Sequence, residues 1–171
     1  HPEWYSLTFD ECLSLSHAHG IEIYNHSCHI EAQRGFGTAA ADYLLQENNR
    51  IFLTATDDSH FKMQDSGGGW VMVAADELSE SSILNALKNG QYYSSTGVEI
   101  FGFEIDNYQV NIHCSPSNQV CVVGQGAKSI SQNGKNITKA EFDLKKYPSE
   151  WFRVSIANDS GDFAWTNPVW L

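Results

Sequence analysis

The chain of 171 residues contains no C-x-x-C pair among its four cysteines, Cys12, Cys28, Cys114 and Cys121. A structural zinc ribbon built on paired thiolates is therefore not expected. Positive charge is also scarce: ten Lys and Arg stand against 21 Asp and Glu, a formal net charge of −11. Sequence-independent binding to nucleic acid needs clustered cations, so no nucleic-acid partner is expected. A negative chain can still handle a phosphate ester where metal ions supply charge locally. No apolar run approaches the roughly 18 residues of a membrane span, and no secretory apolar segment stands near the start, so no membrane partner is expected either. Short N-x-S/T patterns begin at Asn25, Asn136 and Asn158, but nothing else argues for secretion. The thiols are expected to be reduced, in a cytoplasmic compartment.

What is present is a soluble-type composition, with 42% hydrophobic residues, enough for a core that needs no disulfides. Helix and strand patterns alternate through the first half. Thr8-Phe9-Asp10-Glu11 reads as a capping box that opens a helix. Ile21–Tyr24 reads as a strand, followed by a Gly-containing loop and a helix capped by Thr38 that runs to about Asn48 or Asn49. Ile51–Thr56 is a near-continuous apolar run, the pattern of a parallel strand covered on both faces. Trp70–Val73 is a further strand, and Ser79 caps a helix that Gly90 closes. Such alternation predicts an α/β parallel sheet or barrel. The texture changes at Gly97. Val98–Ile105, Gln109–Cys114, Val120–Gly124, Lys139–Leu144, Trp151–Ala157 and Ala164–Leu171 are short strands between turn residues, as in a small antiparallel sandwich. Cys114 and Cys121 flank the Ser-Pro-Ser-Asn stretch and fit on paired strands.

In parallel α/β folds, ligands collect at the carboxyl ends of strands. Asn25, His26 and His29 follow the first of these strands, Asp58 and His60 follow the second, and His1 directly precedes a helix. These residues are therefore expected on one face. Asp58 and His60 stand two residues apart, so in extended backbone both point the same way and reach one ion. A carboxylate with imidazoles suits zinc, manganese or ferrous iron. His17-x-His19 has the form of a two-ligand motif, but it precedes its strand and falls on the opposite face. Asn25, His26 and His29 are candidates for substrate contact or support of the ligands. Glu22 lies inside a strand and is expected to pair with a cation. The Gly67-Gly68-Gly69 run lets backbone approach an oxyanion or simply forms a loop. Ser94, Ser95 and Thr96 either line the site or form the domain junction.

In these segments the chain resembles the PHP (polymerase and histidinol phosphatase) family, in its branch of stand-alone metal-dependent phosphoesterases. The matching pieces are His1-Pro2-Glu3-Trp4, Gly20–Asn25, Ala55–His60, Gly68–Val71, Tyr93–Gly97 and Thr166–Trp170. The resemblance implies a distorted (β/α)7 barrel holding two or three divalent ions (zinc, manganese or iron), with His1, Asp58 and His60 as ligands. Asp58 and His60 would also be the catalytic pair. The family's opening H-x-H, a following acidic or His residue, and a middle Glu and His would all precede His1. Residues 1–97 are thus expected to be the carboxyl-terminal part of such a barrel, and residues 98–171 a small antiparallel β-sandwich.

The implied function is metal-dependent hydrolysis of a small phosphorylated substrate, incomplete or inactive in this chain alone. An open barrel side would recruit the missing amino-terminal half or a second copy. Two alternatives accompany this reading. One is a non-catalytic homologue whose β domain binds a sugar or protein through exposed aromatics among Tyr108, Trp151, Trp165 and Trp170. The other is a metal-dependent hydrolase of a non-phosphate ester or amide.

Overall fold

The computed structural model describes residues 1–15, 17–47 and 49–171. It divides into two compact units, His1–Ser94 and Ser95–Leu171. In the first, Thr8 caps α1 (Phe9–Ser14) as its sequence dictates. The Thr8 hydroxyl accepts the Glu11 N–H at 3.2 Å, and the Glu11 carboxylate accepts the Thr8 N–H at 2.8 Å, the reciprocal arrangement of a capping box. Strands β1 (Gly20–Asn25) and β2 (Phe52–Thr56) pair in parallel, from Gly20 opposite Phe52 to Asn25 opposite Thr56, with a register shift between Glu22 and Tyr24. Between them lie α2 (His26–Ala32) and α3 (Thr38–Gln46).

Helix α2 occupies what reads as loop, because His26-Ser27-Cys28-His29 has no apolar period. Its start is fixed by Asn25, whose side-chain oxygen accepts the Cys28 N–H at 3.0 Å. Gly37, not Thr38, stands at the cap of α3, and Thr38 is its first helical residue. That helix stops at Gln46; Asn48, one of the two end positions expected, lies outside the described residues. Beyond β2 come β3 (Trp70–Val73), α4 (Glu80–Lys88) and β4 (Tyr92–Ser95). Ser79 caps α4 by accepting the Ser82 N–H at 3.3 Å. Ile23, Ala41, Leu45 and Leu53 are fully buried. Burial of each large aliphatic side chain contributes about 1.5–3 kcal/mol.

This architecture corrects the expected α/β class. Among the described residues the chain forms ten strands but only four helices, and the longest of these helices has nine residues. β1 and β2 form a two-stranded parallel sheet by themselves. A barrel requires each parallel strand to bond the next, and here the parallel run ends after two. A partial (β/α)7 barrel of PHP type over residues 1–97 is therefore not what the chain forms.

The second unit is a single antiparallel sheet, not two facing layers of a sandwich. Its centre is β6 (Gln109–Gly124), paired along its length with β7 (Ser129–Asp143). The other edge of β6 is shared by β5 (Ile100–Asp106) and β8 (Trp151–Ala157). β8 in turn carries β9 (Phe163–Thr166) and β10 (Val169–Trp170). The Ser115–Asn118 stretch reads as a turn between two strands, yet the chain continues through it with register shifts. Pro116 has no N–H to donate and is tolerated at such an irregularity. Cys114 and Cys121 therefore share one strand, and all four cysteines are free thiols. Val110, Ile112, Val120 and Val122 alternate into the core beside Phe152, Val154 and Ile156. Trp151 and Trp165 are 0% and 2% exposed, which makes them core residues and leaves Tyr108 as the best-exposed of the four aromatics named for partner binding. No helix among the described residues is long and apolar enough to cross a membrane.

Candidate functional site

The parallel pairing of β1 with β2 brings two strand ends together, and a polar cluster forms there. Asn25 lies opposite Thr56. The Asn25 amide donates to Glu22 Oε2 at 3.0 Å and to Asp58 Oδ2 at 3.3 Å. Thr56 donates its hydroxyl to Glu22 Oε1 at 2.8 Å. His1 completes the cluster: its Nδ1 lies 3.2 Å from Glu22 Oε2, and its side chain is 2% exposed. This is an ion-pair distance without good hydrogen-bond alignment, and Nε2 has no hydrogen-bond partner at all. A buried imidazole nitrogen left without a partner normally costs free energy. Glu22 thus pairs not with a lysine or arginine but with His1, Asn25 and Thr56.

The Asp57–His60 segment is held from both ends. The Asp57 carboxylate accepts N–H bonds from Gly67 at 2.6 Å, Gly68 at 2.8 Å and Gly69 at 2.8 Å. The oxyanion that the glycine run cradles is therefore the protein's own. Burial works to raise the Asp57 pKa, but the three glycine amides together outweigh it and hold the carboxyl below its ordinary value. At the other end buried Asp65 accepts the Ser59 hydroxyl at 2.7 Å and the His60 N–H at 2.8 Å. The Ser59 bond, then the His60 amide, keep the Asp65 carboxyl low as well. Asp58 itself adopts φ 51°, a left-handed conformation that Asp tolerates better than most residues. The extended geometry expected between Asp58 and His60 is thus absent, although both side chains line one cavity.

That cavity, of about 420 Å³, is lined by His1, Asp58 and His60 together with Trp4, Lys62 and Met63, among others. Cys28 also reaches it, its thiol pKa pushed up by burial first and then by the charges of Asp58 and Glu22. His26 and His29 lie elsewhere, in an aromatic group. Tyr24 Oη is 3.0 Å from His26 Nδ1, and the His29 ring packs 5.7 Å from Tyr24 and 5.3 Å from Phe36. A Cβ on Gly68 would overlap the His26 ring, so one glycine of the cradle also makes room for that imidazole. His17 and His19 are exposed ahead of β1, while Ser16, which opens their motif, lies outside the described residues. His113 sits on β6, its ring 5.4 Å from Phe101. Ser94, Ser95 and Thr96 spend their hydroxyls on backbone: Ser94 on the Leu53 carbonyl, Ser95 on the Val98 carbonyl, and Thr96 on the Phe163 N–H.

The metal-binding group expected of this chain also needs correction. Among the described residues, no group of three or more His, Cys, Asp or Glu is arranged to hold a metal ion. The physical reason lies in Asn25, whose amide stands between the Glu22 and Asp58 carboxylates and occupies an oxygen of each. The donors fit a divalent ion in kind, as imidazole nitrogen and carboxylate oxygen, but not in number. Glu22 is the member that sequence reasoning missed. Its role follows from strand register, and the only hint in the sequence is a carboxylate at an otherwise apolar strand position. No family model, curated protein or solved structure matches the chain, so membership of the PHP family is not supported.

Proposed function

We propose that the cavity lined by His1, Asp58 and His60 is part of a site that hydrolyses a small phosphate ester, completed by donors from outside these residues. The observation that carries this reading is the buried His1 imidazole, whose Nδ1 lies at ion-pair distance from Glu22 and whose two ring nitrogens have no hydrogen-bond partner. Core histidines are ordinarily satisfied, so an orphaned nitrogen beside a polar cavity is best explained as awaiting a ligand. Of the chain's own residues, His1, Asp58 and His60 would supply part of the ligand set of a divalent zinc, manganese or iron ion, the remainder coming from outside. Such an ion would polarise a phosphoryl oxygen and acidify a water.

The chain's own residues do the positioning. Thr56 and Asn25 fix the Glu22 carboxylate, which in turn orients His1. The Asp57 and Asp65 anchors hold Asp58 and His60 against the cavity. A preorganised wall of this kind lowers the reorganisation needed in a transition state. The four free thiols fit a reducing, cytoplasm-like compartment.

A zinc titration followed through the histidine imidazole resonances tests the reading. His1 and His60 should shift together, at lower zinc than the exposed His17 and His19. Asp58→Asn should weaken the zinc affinity behind those shifts at least about tenfold. If His17 and His19 shift at the same or lower zinc, or if the substitution changes nothing, the site is refuted. Because the donor set falls short, the chain alone should hydrolyse 4-nitrophenyl phosphate slowly or not at all. Rapid metal-dependent turnover would overturn the claim that outside donors are needed.

A further inference from the structure

The cavity wall is not uniform. His1, Asp58 and His60 are polar, whereas Trp4, Tyr5 and Met63 bring two aromatic rings and a thioether to the same space. Tyr5 is 72% exposed and Met63 46%, so this side of the wall is open and is not core. Large apolar side chains standing together at a cavity are a recognised mark of ligand contact. Electrostatics push the same way. Lys62 is the cation among the lining residues, set against Glu31, Asp58 and Asp65. The protein lining alone therefore attracts a bare phosphate poorly, and preference among esters has to come from their organic part. A volume of about 420 Å³ falls within the range of roughly 300–1,000 Å³ typical of pockets for small organic ligands.

We infer that the substrate class is a phosphate monoester whose organic part is a flat, largely apolar ring group seated against Trp4, Tyr5 and Met63. This rests on the phosphoester reading above and narrows it. The rings offer stacking faces and Met63 an adaptable sulfur edge, both of which favour a planar group over a saturated one of similar size.

The experiment compares phenyl, cyclohexyl and methyl phosphate, each titrated into the full chain at fixed Zn²⁺ and followed through the Trp4 indole and Met63 methyl resonances. Phenyl phosphate should bind about tenfold more tightly than methyl phosphate, with cyclohexyl phosphate between them. Tyr5→Ala and Met63→Ala, both at exposed positions, should each remove most of that advantage. Equal affinity for phenyl and methyl phosphate, or an advantage that both variants retain, would overturn this inference and leave the phosphoester reading standing. Equal affinity for phenyl and cyclohexyl phosphate would overturn the requirement for a flat group. Binding of none of the three would overturn this inference, whereas the zinc titration decides the phosphoester reading.

Discussion

Substituting Asp57 isolates the contribution of the glycine cradle. Two of its three amide donors, Gly68 and Gly69, converge on Oδ1, while Gly67 alone bonds Oδ2. Asp57→Asn can keep an oxygen for Gly68 and Gly69, but it turns an NH₂ toward the Gly67 N–H, which lies on the exposed side and can bond water instead. Asp57→Ala strips all three donors. With hydrogen bonds to a charged group worth about 1.5–3 kcal/mol each, and less when they share one acceptor, the Asn variant should lose about 1–2 kcal/mol and the Ala variant about 3 kcal/mol. Urea unfolding at pH 7 measures both. The pH dependence follows from the depressed carboxyl pKa. A depressed pKa means that this stabilisation is complete above the unfolded value, about 3.9, and is lost as pH falls through the lower folded value. Wild type and Asp57→Asn should therefore converge in acid. Equal losses in the two variants, or a deficit that persists unchanged at pH 2, would refute the cradle as the source of the effect.

Two further outcomes follow from the geometry. Gly68→Ala should destabilise by about 1–3 kcal/mol in urea unfolding, because its Cβ meets the His26 ring, and replacing His26 with Ala in the same chain should relieve most of that loss. Tyr147, whose hydroxyl donates to the Lys128 carbonyl at 2.9 Å, has its phenol pushed up to about 12, by burial first and then by Cys121. A raised pKa gives stability that is complete below about pH 10 and is lost as pH rises toward the folded value, so phenolate absorbance should show a late-titrating step that Tyr147→Phe removes.

How far the fold could be read from the chain depends on the range of the interaction involved. The Thr8–Glu11 capping box and the Ser79 cap are contained within three or four residues, and both appear as read. Strand β8 spans Trp151–Ala157 as its apolar run predicts. By contrast, helix–strand alternation in residues 1–97 suggests a barrel although, among the described residues, β1 and β2 form a two-stranded parallel sheet by themselves, since hydrogen-bond partners far along the chain leave no local mark. The continuity of β6 through Ser115–Asn118 is hidden for the same reason: β7 pairs with β6 on both sides of that stretch and at Ser117 within it. At the site, strand-end logic gathers Asp58 and His60 with His1, and all three line one cavity. It does not reveal Asn25 as a wedge between two carboxylates, because that role depends on the register that sets Asn25 opposite Thr56.

The arrangement around β6 also orders events in time. β5 and β6 meet through the two-residue turn Asn107-Tyr108, with both residues at positive φ, and β6 and β7 close through the short Gln125–Lys128 turn. Such hairpins form within microseconds. The union of β6 with β8 must wait until all of β7 has been passed, and the slow step of folding in this unit should be the capture of β8 by a meander already made.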